Sequence, residues 1–341
     1  MRISRSVLAS ILRAQRFLYV RRDDKILFIV DAAYADAPLR EIFINYEHEI
    51  VRIEKIVSPG QDYLLPRDIK VDDKTVLWLL TAVSASHSPA TEKILKKNKK
   101  LFLISNPGLT PDWLPILNPA NQKICRARAE KILTAIGGDV GGWVYACDKN
   151  GSDLIMAVPK GNWWSEIGTR EGIGTNGPFG ELCTAPYRAG GKLILNPGDY
   201  LTNPINRLTE QVVLTIDCNR VEKIEGGKQA AQLAKILGAA KDNRAFELGE
   251  FSIQLNPAQP DQVYRSVIAE KLAGGFHIAL GTNSLCLKET CPDLGKFQYG
   301  RYNAGVHIDC IHFGASVSFE PENEKNGKAV HIIRKGKLIQ E

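Results

Sequence analysis

Residues 75–83 read TVLWLLTAV. The run carries no charge and lacks the apolar–polar alternation of a strand with one wet face. That is what a strand buried on both faces requires, and such strands belong to parallel sheets covered by helices. Working outward, KILFIVD (25–31) and IVRIEKIV (50–57) read as strands before it, and KLFLISN (100–106) as a strand after it. Helical segments stand between them. MRISRSVLASILRAQRFLYV (1–20) is an amphipathic helix, because arginines at 2, 5, 13 and 16 interrupt any signal-like core. PLREIFINYEHE (38–49) is expected to be helical. So is the stretch from about Ser88 to Lys97, where Ser88-Pro89 supplies an N-cap and a first-turn proline. A further helix is expected from about Asn121 to Ile136. The order β-α-β-α predicts an α/β, Rossmann-like, three-layer N-terminal domain with a mostly parallel sheet over residues 1–150. No GxGxxG follows the first strand, so nucleotide binding is not indicated.

Around GGDVGGW (137–143) the texture changes. DLIMAV, KLILNPGDY, QVVLTIDCNRVEKIEG, FSIQLNP and ASVSFE are short strands set off by Gly and Pro, with one helix, GKQAAQLAKILGAAK (227–241), among them. This predicts an α+β C-terminal domain, residues 151–341, on an antiparallel or mixed sheet. A chain of 341 residues exceeds what one core usually organises, which agrees with two domains.

Composition excludes several function classes. Apolar residues make up 44% and charged residues 24%, the proportions of a globular protein. The net charge of +6 is scattered among acids. The densest basic run, 96–100, sits at an expected helix end, where cations favour the dipole, so no nucleic-acid partner is expected. Seven cysteines without a CxxC spacing argue against a disulfide framework and a Cys-rich zinc site, and fit a reducing, cytoplasmic setting. No run of about 18 apolar residues occurs, so no membrane span is expected.

The chemistry-bearing residues gather in 245–311. AFELGEFSIQLNP, VIAEKLAGGFHIALGTN and YNAGVHIDCI place Glu250, Glu270, His277, His307 and Asp309 on or beside apolar β-like runs. An unpaired buried charge is costly, and a divalent metal could satisfy several such groups at once. In a strand, residues i and i+2 share a face, so His307 and Asp309 could chelate one ion; a core histidine beside a structural aspartate is the competing reading. Upstream, REGIGTNGPFGELCTAP (170–186) uses glycines to deliver Glu181 to a short strand; alone, it also reads as a surface glycine loop. These N/O donors suit Zn, Co, Mn or Fe(II).

Taken together, the segments resemble the aminopeptidase T family of metallopeptidases. NGPFGELCTAP is similar to its P-x-GE-x-x-TAP signature, LGEFSIQLNP to its LGE-x-x-x-x-x-N segment, EKLAGGFHIALG to its DEK-x-x-G-x-x-H-x-A-x-G segment, and VHIDCI to its H-x-D segment. The likeness spans about residues 170–312. It implies five ligands for two divalent ions: Glu181, Glu250, His277, His307 and Asp309. Glu270 would support the site, and Glu181 or Glu250 would move a proton. The family has a Tyr seven residues after the first metal His, whereas this chain has Ser284 there; Tyr299 or Tyr302 could replace it only if the intervening loop folds back. The same superfamily includes the 2,5-dihydroxypyridine dioxygenases, which hold one Fe(II) through two His and one Asp. Here those would be His277, His307 and Asp309. TAVSASHSPATEK resembles that branch and matches His87 to a substrate-side acid or base; alternatively, His87 is a helix-cap neighbour.

The resemblance therefore implies a metal-dependent hydrolase of amide or peptide bonds. The alternatives are a mononuclear Fe(II) ring-cleaving dioxygenase and a binding protein on the same scaffold. It also implies a peptide or small-molecule substrate and a homodimer.

Overall fold

The computed structural model describes residues 3–53, 71–72, 74–86, 88, 90–91, 93–94, 101–168, 174–202, 204–283, 302–322 and 329–339. The chain forms two compact units. The first comprises Met1–Gln122, Glu166–Phe179 and Ala258–Ile268; the second comprises Lys123–Ser165, Gly180–Pro257 and Ala269–Glu341. The expected division was a single cut at 150/151, whereas these units are discontinuous along the chain.

The strands are β1 (Lys25–Val30), β2 (Glu47–Arg52), β3 (Thr75–Thr81), β4 (Phe102–Pro107), β5 (Gly142–Cys147), β6 (Asp153–Val158), β7 (Trp164–Glu166), β8 (Gly174–Asn176), β9 (Glu181–Thr184) and β10 (Arg188–Leu195). They continue as β11 (Tyr200–Leu201), β12 (Asn206–Arg207), β13 (Val212–Asp217), β14 (Arg220–Gly226), β15 (Leu248–Gln254), β16 (Gly275–Asn283), β17 (Tyr302–Phe313), β18 (Ser316–Pro321), β19 (Val330–Arg334) and β20 (Lys337–Leu338). The main helices are α1 (Arg5–Tyr19), α2 (Pro119–Ala135) and α3 (Lys228–Ala239).

The first unit holds a sheet in the order β2-β1-β3-β4-β8, and its pairs are parallel. Every residue of β3 is buried. The period of two explains how both faces are covered. Leu27, Ile29, Leu77 and Leu79 pack with Ala90 and Ile94 on one side. Phe28 and Trp78 meet Phe43 on the other, in ring contacts of 5.0–5.4 Å. Ser88 caps the helical turn that follows, its Oγ accepting the Thr91 N–H at 3.2 Å.

One expectation for this unit is corrected. The helix read over 38–49 is a single turn, Leu39–Ile42, and Glu47–Arg52 is the edge strand β2. Apolar positions at 39, 42 and 43 support one turn only. In β2 the acids Glu47 and Glu49 are exposed while His48 and Ile50 are half-buried, so the side chains alternate along a strand that pairs with β1.

The second unit contains two antiparallel sheets, β14-β13-β10-β6-β5-β18-β19-β20 and β12-β11-β17-β16-β15-β9-β7. Helix α3 buries Ala230, Leu233 and Leu237. No helix among the described residues is long and apolar enough to cross a membrane.

Candidate metal centre

The centre stands on one face of four adjoining strands, β9, β15, β16 and β17. Their antiparallel registers set the pattern. Ser252 on β15 lies opposite both Cys183 on β9 and His277 on β16, and Glu250 lies opposite Ala279. Ala279 and Gly281 on β16 face Asp309 and His307 on β17. Side chains alternate, so Glu181, Cys183, Glu250, Ser252, His277, His307 and Asp309 emerge together. The opposite face carries Leu182, Phe251, Ile253, Phe276, Ile278, Leu280 and Cys310, all buried.

Two glycines are obligatory in this layout. Gly180, at φ +133°, immediately precedes β9; a Cβ there would lie 2.7 Å from that of Asn256. Gly281, at φ +98°, has the Val306 carbonyl oxygen 2.4 Å from where a Cβ would stand. Both are conformations that L side chains rarely adopt.

The five candidate ligands converge. His277 Nε2 lies 3.5 Å from Glu181 Oε2 and 3.4 Å from Glu250 Oε1. His307 Nε2 lies 3.3 Å from Glu250 Oε2 and 3.1 Å from Asp309 Oδ1. Each imidazole Nε2 thus faces two carboxylate oxygens, and a single N–H cannot lie along both directions. Donors about 2.0–2.2 Å from a common ion stand roughly 3–3.5 Å apart, which matches these spacings. The His307 ring is oriented from behind: Nδ1–H donates to the Thr282 carbonyl at 2.9 Å, which turns Nε2 into the centre. Asp309 is held by Thr202, whose hydroxyl donates to Oδ2 at 2.6 Å and accepts the Asp309 N–H at 2.7 Å.

The electrostatics point the same way. Burial pushes the Glu250 carboxyl up, but His277 and His307 outweigh it and bring it down to about 2. Burial likewise opposes charge on His307, yet Asp309 and Glu250 raise it well above the ordinary histidine range. Asp309, despite burial, is held well below the usual carboxylate range by His307. The cluster stabilises positive charge between its carboxylates, the role that a divalent cation fills. Two groups of three donors each lie mutually within 4.8 Å: Glu250, His307 and Asp309, and Glu181, Cys183 and Glu250. The donor set fits a divalent metal.

Residues 72–260 match the family model described as NicX: 2,5-dihydroxypyridine 5,6-dioxygenase. The chain belongs to the NicX family. The match includes Glu181 and Glu250 and ends before His277. Two solved structures share the fold over nearly the whole NicX-family chain. One, the 2,5-dihydroxypyridine dioxygenase from Pseudomonas putida, aligns with a TM-score of 0.66 at 17% identity and covers 99% of this chain and 98% of that one. The other, wild-type AmpT from Thermus thermophilus, aligns with a TM-score of 0.58 at 15% identity and covers 97% and 99%. No curated protein matches significantly. Family membership makes the chain an enzyme of the NicX family with a donor set that fits a divalent metal, and the two solved structures show that it shares their fold.

Other candidate residues have definite places. Glu270 is buried, with Oε1 3.0 Å from Lys271 Nζ. Tyr302 packs under the Arg244 guanidinium, 4.7 Å from its ring centroid, and burial beside Glu247 raises its phenol. His87, Ser284 and Tyr299 lie outside the described residues.

Sequence reading missed two members of the centre. Lys271 is fully buried, and its ammonium is ion-paired with Glu181 Oε1 as well as Glu270. A lysine inside AEKLAGGF, next to an acid and before an apolar strand, was the available signal. The other is Cys183, which alternates with Leu182 on β9 and so shares the Glu181 face.

Proposed function

We propose that this chain is a metal-dependent hydrolase of amide or peptide bonds, of the aminopeptidase type, using two divalent ions (Zn, Co or Mn) held by Glu181, Glu250, His277, His307 and Asp309. The observation that carries the reading is Glu250. Its two oxygens face different imidazoles, Oε1 toward His277 and Oε2 toward His307, and it belongs to both donor groups. A carboxylate so placed would give one oxygen to each of two cations. Such a pair supplies Lewis-acid polarisation of a scissile carbonyl and a more acidic water. Thr202 and Thr282 fix Asp309 and His307, so that their donor atoms need no rearrangement. Lys271 holds Oε1 of Glu181, while its Oε2 faces His277 Nε2.

A second reading has its own support. Family membership and the likeness to the Pseudomonas putida dioxygenase favour a ring-cleaving dioxygenase acting on a hydroxylated N-heteroaromatic, with one Fe(II) held by His277, His307 and Asp309. Two His and one carboxylate leave positions open for substrate and O₂.

Anaerobic purification followed by metal analysis separates the readings. About two Zn, Co or Mn per chain, with hydrolysis of aminoacyl-p-nitroanilides, is expected. One iron per chain, with O₂ uptake on dihydroxypyridines, would replace the first reading by the second. Protein that binds no metal after reconstitution would leave a non-catalytic binding protein.

A further inference from the structure

Cys183 shares the centre's face but belongs to neither ligand set considered above. Its Sγ lies 3.5 Å from Glu181 Oε2 and 3.3 Å from Ser252 Oγ, and the residue is buried. Glu181 Oε1 is taken by Lys271, so Oε2 is the oxygen turned toward both Cys183 and His277 Nε2. The sulfur, Glu181 and Glu250 form one of the two donor groups within 4.8 Å. A thiolate sulfur at about 2.3 Å and a carboxylate oxygen at about 2.1 Å from one ion, near the tetrahedral angle, stand roughly 3.6 Å apart. The observed sulfur–oxygen separation is close to that span.

We propose that Cys183 is a metal ligand, which joins Glu181, Glu250 and His277 in a mixed sulfur–nitrogen–oxygen cation position beside the all N/O position of Glu250, His307 and Asp309. The inference rests on the two-cation reading above and makes the two positions unequal. The thiolate side is the softer and favours Zn(II), Co(II) or Fe(II) over Mn(II) or Mg(II). When the cation binds, the Cys183 S–H bond breaks, its proton leaves to solvent, and the sulfur lone pair forms the new bond; no electron is transferred. The competing account is a thiol that donates a hydrogen bond to Glu181 and meets no ion.

The test loads the full chain with Co(II) alone and follows the near-ultraviolet sulfur-to-cobalt charge-transfer band together with bound cobalt per chain. Two cobalt ions and the band are expected in the wild type. Cys183→Ser is expected to lose the band and one cobalt and to keep the other, with Co(II) affinity at the altered position down at least roughly tenfold. A Cys286→Ser/Cys291→Ser double variant is expected to retain the band. Should Cys183→Ser fail to fold, Cys183→Ala and the wild-type spectrum decide. A band that survives Cys183 substitution, or two bound cobalt ions without a band, overturns the ligand assignment while leaving the two-cation reading standing. One cobalt without a band overturns both, and no bound cobalt overturns the metal centre itself.

Discussion

Strands β3 and β16 are both buried at every position, yet they do different work. In β3 both faces are apolar: Leu77 and Leu79 pack one way and Trp78 the other. In β16, Phe276, Ile278 and Leu280 fill one face, while the other carries His277, Ala279 and Gly281. Burial alone therefore does not mark a core strand. What distinguishes them is how buried polarity is compensated. In β3 there is almost none; around β16 carboxylates and imidazoles lie within ion-pair distance of one another. The small residues complete the design, because Ala279 and Gly281 leave the space over β16 to their neighbours on β17.

The comparison can be broken by exchanging symptoms. His307→Ala should bring activity to background and remove metal from the Glu250–Asp309 side, while the chain still folds; measured metal content and full retained activity would refute the site. Trp78→Ala should do the reverse, costing about 3–5 kcal/mol of stability by denaturant titration with metal stoichiometry per folded chain unchanged. A Trp78 variant that loses metal while folded would show that the two kinds of buried strand are not separable.

A third test concerns buried polarity away from the centre. His312 is buried, with Nδ1 2.7 Å from Asp199 Oδ2 and Nε2 2.8 Å from Asp148 Oδ2. Burial opposes its charge, but Asp199 and Asp148 together raise its pKa above 6.5. Burial also raises the Asp148 carboxyl, yet the Ser152 and Asn150 N–H groups and His312 bring it below 3.8. A raised histidine contributes stability that is complete below its unfolded value and is lost as pH rises through the folded one. A depressed aspartate contributes stability that is present above its unfolded value and is lost as pH falls through the folded one. His312→Gln should therefore cost most, about 3 kcal/mol, between roughly pH 4 and 6.5, and less at alkaline pH. A pH-independent cost measured by chemical denaturation would contradict the charged clamp.

The smallest effect expected is from Gly281→Ala. A Cβ there meets the Val306 carbonyl oxygen at a positive φ, so a loss of about 1–3 kcal/mol is expected, with weakened metal binding at adjacent His307. Thermal melts of apo and metal-loaded protein check both parts, and an unchanged variant would show that the strand pair yields at this point.

Much of this was legible in the sequence, for physical reasons that differ by region. TVLWLLTAV declares itself because an unbroken apolar run admits few alternatives. VHIDCI places His307 and Asp309 on one face because the period of a strand is fixed, and the structure brings them to 3.1 Å. The helix expected over 38–49 failed because β2 owes its conformation to pairing with β1, a partner that no local window contains. Lys271 and Cys183 were hidden for another reason. Cys183 becomes part of the centre only through strand register, which places it across from Ser252; Lys271 lies outside the strands and is brought to Glu181 by a tertiary contact, its carbonyl accepting the Asn256 N–H at 2.8 Å.

Strand β17 presents His307 and Asp309 on one side and Cys310 and His312 on the other. A strand that bears candidate ligands must not slide, since a one-residue shift would turn Ile308 and Cys310 toward the centre instead. The Asp148–His312–Asp199 clamp grips both nitrogens of one ring, Asp199 also accepts the Phe313 N–H, and Thr202 ties Asp309. Together they act as a detent that permits β17 a single seating, and the chemistry on its other side inherits that alignment.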